Sequence, residues 1–236
     1  MRYLVLRLQA PLMSFGEGDY WDVRGTGAFP TKSAILGILS CCLGWNQNES
    51  DKIVELGESI SVSAREDIKC SIQRDYHTIM NTLKADGKSN DNAVQSYRNY
   101  LMDGAFSVLV ASKSDFVFES IKKALESPVW MPFLGRKACS PSLPLFLDEE
   151  INSSNAKTAF EKLKTVPEIL RQLQIEFSNV DKENIRLACI TDEKLENNMK
   201  RSLIRDTVVN SKLRVFAQRE VYKFYVEVKQ NVPIQS

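Results

Sequence analysis

His77 is the sole histidine of this 236-residue chain, and that single imidazole narrows the chemistry open to it. Ribonuclease schemes that need two histidines in one chain are excluded, and so are histidine-rich metal sites. A His–Tyr–Lys arrangement stays open, with His77 taking a 2′-hydroxyl proton and a cation steadying the phosphate. The plainer alternative for a histidine between Tyr76 and Thr78 is stacking or hydrogen bonding. Ser14, Ser33 and Ser140 lie in no G-x-S-x-G elbow. Cys41, Cys42, Cys70, Cys139 and Cys189 form no C-x-x-C pair; they outline no zinc site and read as reduced structural thiols. Asp148-Glu149-Glu150 places three carboxylates in a row, which point different ways on a loop and read as a solvated turn. No metal and no cofactor is expected.

Cations beside aromatics make a more coherent set. Arg24, Lys32 and Ser33 form one station. Arg74, Tyr76 and His77 form a second, and Tyr97 with Arg98 a third. Arg136 and Lys137 follow on a glycine loop, then Arg214 and Arg219 near the end of the chain. Tyr20, Trp21, Phe133 and Phe216 lie close by in sequence. Cations for phosphates and aromatic faces for splayed bases are what single-stranded RNA recognition requires. Any one station reads equally well as solvated charge; the set points to RNA.

The elements that must carry these residues begin with a strand at 3–8, ended by Gln9-Ala10-Pro11. A polar, aromatic loop from Ser14 to Gly27 leads into Gly25-Thr26-Gly27-Ala28-Phe29-Pro30-Thr31-Lys32-Ser33 and an apolar helix over about 31–43. Thr31 suits the N-cap, and Gly44 suits the stop. The exposed N–H groups, the helix dipole, Ser33 and Lys32 together suit a phosphate, against the alternative of a packed loop and an ordinary cap. The spacing is not G-x-x-x-x-G-K-[ST], so hydrolysis of a nucleoside triphosphate is not indicated.

A short helix at 51–56 and an alternating strand at 60–68 follow. Residues from Gln73 to about Asn92 are polar and offer little to a core, and order resumes at Val94–Leu101. A strongly apolar strand at 105–111 and a helix from Ser114 or Asp115 to Leu125 complete the pattern. This order predicts an α+β, ferredoxin-like βαββαβ domain over 1–147 with an insertion. Beyond Asp148 the texture changes, with a helix over 157–173 interrupted at Pro167 and strands at 175–177, 185–190 and 221–228. That predicts a small β-rich C-terminal subdomain over 148–236, packed on the first domain. Its stretch 200–223 carries seven cations against Asp206 and Glu220.

A formal net charge of +1 is not that of a generally basic nucleic-acid binder, so any RNA surface must be local. No apolar run approaches the roughly 18 residues of a membrane span. The sequence starts on a strand pattern without a signal peptide, so a cytoplasmic protein with no membrane partner is expected.

R-Y-L-V-L-R-L-Q-A-P, G-T-G-A-F-P-T-K-S-A-I-L-G-I-L, R-D-Y-H-T and F-L-G-R-K-A-C-S-P-S-L-P-L-F, in that order, with R-V-F-A-Q-R-E-V-Y near the end, resemble the CasD family. These are RAMP-superfamily subunits of Cascade, the type I-E CRISPR surveillance complex. The likeness covers 1–147 well and 213–226 fairly, and is poor over 148–212. It implies an RRM-like fold with a protruding thumb at about 77–100. It also implies a non-catalytic role in antiviral defence, holding the 5′ handle of the CRISPR RNA at one end of the complex. Implied partners are the CRISPR RNA, the backbone subunits and the large subunit, with target DNA reached only through the complex. Related proteins of another type I subtype are ribonucleases using Tyr, Lys and His. By that likeness Tyr76, Lys32 and His77 are candidates for a metal-independent endoribonuclease with His77 as general base.

Overall fold

The computed structural model describes residues 1–17, 22–90, 92–166, 184–196 and 199–229. Tyr20, Trp21, the helix expected beyond Pro167 and the strand expected at 175–177 lie outside them. The chain is a mixed α+β fold. In order it forms β1 (Arg2–Gln9), β2 (Leu12–Met13), β3 (Val23–Arg24), α1 (Lys32–Cys42), α2 (Ser50–Ser59), β4 (Ile60–Ile68) and β5 (Ser71–Ile79). Then come β6 (Val94–Met102), β7 (Ala105–Ser112), α3 (Asp115–Glu126), β8 (Phe146–Asn152), α4 (Ala156–Lys162), β9 (Asn184–Thr191), β10 (Lys200–Asn210) and β11 (Val215–Lys229).

Seven strands make the main sheet in the order β10-β11-β9-β4-β7-β1-β8, with every pairing antiparallel. Strand alternation decides what each face buries. On β1, Leu4, Leu6 and Leu8 join Ile35, Leu36 and Leu39 of α1 and Phe118 and Ile121 of α3 in one core. Tyr3 and Val5 face the other way, into a second core with Leu109, Ala159, Phe160 and Leu163. Local signals start the helices where the sequence places them. Thr31 Oγ1 accepts from Ala34 N and Ser114 Oγ from Val117 N. Gly44, at φ +76, carries the chain out of α1.

Arg7 and Arg65 follow this alternation and are fully buried on the second face. Arg65 Nε donates to Asp67 Oδ1 at 2.7 Å, and its other nitrogens to the carbonyls of Phe160, Leu163 and Lys164, which end α4. Arg7 donates to Ser107, to the Lys164 carbonyl at 3.0 Å and to Glu149 at 2.6 Å. Two strand cations therefore cap the helix C-terminus, where carbonyls and the dipole favour positive charge. Burial pulls the Arg7 guanidinium below its ordinary value, with Asp67 and Glu149 opposing.

The described strands beyond residue 147 join the main sheet rather than forming one of their own. β8 pairs with β1, and β9 is bonded to both β4 and β11. The division expected at 147/148 has no counterpart in the hydrogen bonding, because these strands extend the existing sheet at both edges. A second sheet of β2, β6, β3 and β5 stands apart from the seven. In it, among the described residues, β5 pairs only with β6, as a hairpin arm with exposed side chains along most of β5. Among the described residues no helix is long and apolar enough to cross a membrane.

Candidate nucleic-acid interface

Register brings two of the cation–aromatic stations together on the arm. Across β5 and β6, Tyr76 lies opposite Tyr97, Arg74 opposite Asn99, Asp75 opposite Arg98 and His77 opposite Ser96. Side chains alternate in a strand, so Arg74, Tyr76 and Tyr97 share one face and Arg98 and Tyr100 the other. On the first face the Tyr76 and Tyr97 rings are 5.6 Å apart, and the Arg74 guanidinium lies 3.9 Å from the Tyr97 centroid. This exposed ladder of one cation and two rings offers stacking surfaces to bases.

The other face carries Arg98, with Arg24 and Arg136 beside it. β3 runs parallel to β6 with Arg24 in register with Arg98. The Arg136 guanidinium lies 4.3 Å from the Tyr100 centroid, and its Nη2 donates to the Arg24 carbonyl at 3.2 Å. Its loop is pinned to the strand layer by Ser14 N donating to Leu134 O at 3.1 Å. Gly135 makes that approach possible: at φ +94, any Cβ would collide with the Ser14 carbonyl. Arg98 Nε and Arg136 Nη1 are both buried without an acceptor. Buried guanidinium donors are normally paired, and these two, close to Arg24, have no acceptor from the described residues. Lys137 extends the same loop into solvent.

The station at the start of α1 is built differently. Lys32 N, one of the free N–H groups of the helix, donates to Asp206 Oδ2 at 2.6 Å. Asp206 also takes Arg219 Nε at 2.7 Å and Nη2 at 3.0 Å. The Lys32 amine donates to the Ile60 carbonyl at 2.8 Å and lies 3.5 Å from Asp192. Burial pulls its pKa below the ordinary lysine value, with Asp192 opposing. The anion expected at this helix start is thus a carboxylate of the chain itself, and Lys32 and Arg219 are engaged in holding it. Ser33 bonds the capping Thr31, its hydroxyl 3.2 Å away. Arg214 stands exposed in the β10–β11 turn, whose Ser211 bonds Gln47 and Ser50 rather than the arm.

Tyr76 and His77 are strand neighbours and point to opposite faces, while the Lys32 amine is bound to β4 and Asp192. A Tyr–Lys–His ribonuclease centre finds no geometric support in these contacts. All five cysteines are free; burial pushes Cys42 and Cys70 up to about 12, which leaves them weak nucleophiles. Among the described residues no three His, Cys, Asp or Glu side chains gather to hold a metal ion. Tyr100, which the run V-Q-S-Y-R-N-Y-L places near Tyr97 and Arg98, supplies the ring under Arg136, a contact that no spacing in the sequence announces.

Residues 3–216 match the family described as CRISPR-associated protein (Cas_Cas5). The CRISPR system Cascade subunit CasD of Escherichia coli (strain K12) is 33% identical over 156 residues, 61% of this chain and 70% of that protein. Among solved structures, a chain of a CRISPR RNA-guided surveillance complex superposes with a TM-score of 0.72 at 22% identity, covering 99% of this chain and 95% of that one. A crystal structure of a Cas protein gives 0.68 at 24% identity, covering 98% and 97%.

Proposed function

The chain belongs to the Cas5 family of CRISPR-associated proteins, and on that premise we propose that it is the non-catalytic, CasD-type subunit of a Cascade complex. In this reading it grips the 5′ handle of the CRISPR RNA and caps one end of the assembly, beside the backbone and large subunits. The run β4-β7-β1-β8 with α1 and α3 on one face is then the ferredoxin-like, RRM-like core. The β5–β6 hairpin is the thumb. The observation that carries the reading is the pair of buried, acceptor-less donors, Arg98 Nε and Arg136 Nη1, set among aromatic-stacked guanidiniums. RNA phosphate oxygens supply the missing acceptors, and bases supply faces for Tyr76 and Tyr97. Arg24, Arg74, Arg98, Arg136 and Lys137 are the proposed contacts; Lys32, Ser33 and Arg219 act through the fold.

The test is handle-RNA affinity of the assembled complex with single substitutions. Arg98→Ala and Arg136→Ala are each expected to lose on the order of 1–3 kcal/mol, the range of a charge-assisted hydrogen bond. Tyr97→Ala is expected to lose a comparable amount through stacking. Unchanged affinity for both arginine variants, with unchanged melting, overturns the assignment. Labelled repeat RNA incubated with the protein in EDTA is expected to stay intact; cleavage to a 2′,3′-cyclic phosphate revives His77 as a base.

A further inference from the structure

Two exposed apolar features share one anchor. The loop after α3 presents Val129, Trp130 and Met131 in succession, with Met131 83% exposed. It is nonetheless fixed: Val129 N donates to the Cys42 carbonyl at 2.9 Å, and Cys41 Sγ lies 3.5 Å from the carbonyls of Trp130 and Met131. The Val129 side chain fills the space where Gly44 lacks a Cβ. On the other side, the β10–β11 turn presents Leu213, 71% exposed, with Val209 and Val215 beside it. That turn is fixed as well, by Leu213 N donating to Asn210 Oδ1 at 2.8 Å. Its Ser211 bonds Gln47 O and Ser50 Oγ, each at 2.9 Å. Segment 41–50, with Trp45 under the Lys52 amine at 5.7 Å, therefore carries both features at the C-terminal end of α1.

We propose that Trp130, Met131 and Leu213, flanked by Lys212 and Arg214, form a rigid docking surface for another protein whose contact face is apolar with a carboxylate rim. Held backbones with exposed Trp, Met and Leu are pre-organised anchors, which lose little entropy on binding. Charge sets the partner: no acidic residue occurs between Asp206 and Glu220, Glu49 at the start of α2 is bonded to Lys52, and Glu126 at the end of α3 lies 4.0 Å from Lys122. A second copy meeting this surface by two-fold symmetry would place Lys212 and Arg214 against their own counterparts, which disfavours it. RNA is disfavoured because only Trp130 of the six exposed side chains has a ring on which a base can stack. The inference rests on the reading of the chain as a subunit of an assembly, but not on the arm.

Oxidative footprinting of Met131 tests it in three states: the chain alone over a concentration series, the chain with CRISPR RNA, and the complete complex purified after co-expression with its other subunits. Protection of Met131 only in the complete complex is the expected result, by about tenfold or more if the residue sits at a buried contact centre. Equal reactivity in all three states overturns the proposal, protection by RNA alone reassigns the surface to RNA, and protection rising with concentration reassigns it to self-association. Met131→Asp and Leu213→Asp are then expected to weaken incorporation into the complex while RNA affinity of the isolated chain is kept. Normal incorporation of both variants overturns the proposal even if protection is seen.

Discussion

Asp206 is an anion in the place where a helix N-terminus attracts one. Buried to 1% exposure, it takes the Lys32 N–H and two nitrogens of Arg219. It thereby ties β10 and β11 to α1, and through Lys32 and Asp192 to the end of β9. Removing one partner of such a buried set leaves the others uncompensated, which costs about 3–5 kcal/mol. Asp206→Ala is therefore expected to lower the urea midpoint by a large fraction of the chain's stability, and Lys32→Ala to do so in lesser measure. Equilibrium unfolding checks this; a loss under about 1 kcal/mol for Asp206→Ala would mean that solvent takes over the Arg219 guanidinium and the Lys32 N–H, as it does at surface sites. Lys32 shows why the surroundings of this helix start were not legible in the sequence. Beside an exposed helix start its charge suits phosphate, and nothing within 174 residues of sequence hints that Asp206 arrives there first.

α3 is held to the sheet edge by charge as well as by Phe118 and Ile121. Lys122 Nζ lies 2.6 Å from Glu150 Oε1 and 3.0 Å from Asp148 Oδ1, and Arg2 Nη2 reaches Glu119 at 2.8 Å and Glu150 at 3.0 Å. Lys122, then Arg2, hold the Glu150 carboxyl below its usual range. A depressed folded-state pKa means the stabilisation is whole above the unfolded value, about 4.3 for glutamate, and fades as pH falls through the folded one. The melting temperature of the wild type is thus expected to exceed that of Glu150→Gln by a constant margin above about pH 5, and the margin to shrink in acid. A margin that does not narrow in acid would place the effect in packing. Asp148-Glu149-Glu150, read from sequence as a solvated turn, is instead part of β8, with Asp148 and Glu150 sharing Lys122, Glu150 also reaching Arg2, and Glu149 bound to Arg7. Periodic elements were legible because one face of each is apolar: β1, α1, β4, β7 and α3 lie within two residues of their expected limits. Arg7 and Arg65 were not, since a cation in a strand reads as solvent-facing until the carbonyls at the end of α4 are seen to need it. The β5–β6 pairing was hidden for the opposite reason: an arm with little to bury carries no apolar pattern.

At the scale of the whole molecule, the main sheet is covered on both faces by chain from both sides of residue 147, so a fragment ending there is left incomplete. The face that Tyr3, Val5, Leu109 and Ala111 present is covered by Phe160 and Leu163, with Leu187, Phe224 and Val226 in the same core. Burying those five side chains contributes roughly 1.5–3 kcal/mol each, and their sum is comparable to the entire stability of a typical domain. The fragment also strands Arg7 and Arg65, which keep only Asp67 and Ser107 once Glu149 and the carbonyls of Phe160, Leu163 and Lys164 are gone. Strand β4 would lose its β9 neighbour and offer an open apolar edge to other chains. Residues 1–147 alone are therefore expected to aggregate or to show no cooperative melt, whereas replacing only the arm tip, 80–93, by a short turn should leave the melt of the full-length chain nearly unchanged. Circular dichroism and sedimentation of the two proteins decide the matter. A monomeric, cooperatively melting 1–147 would show that the N-terminal strands and helices fold as a domain of their own, with the later strands added on.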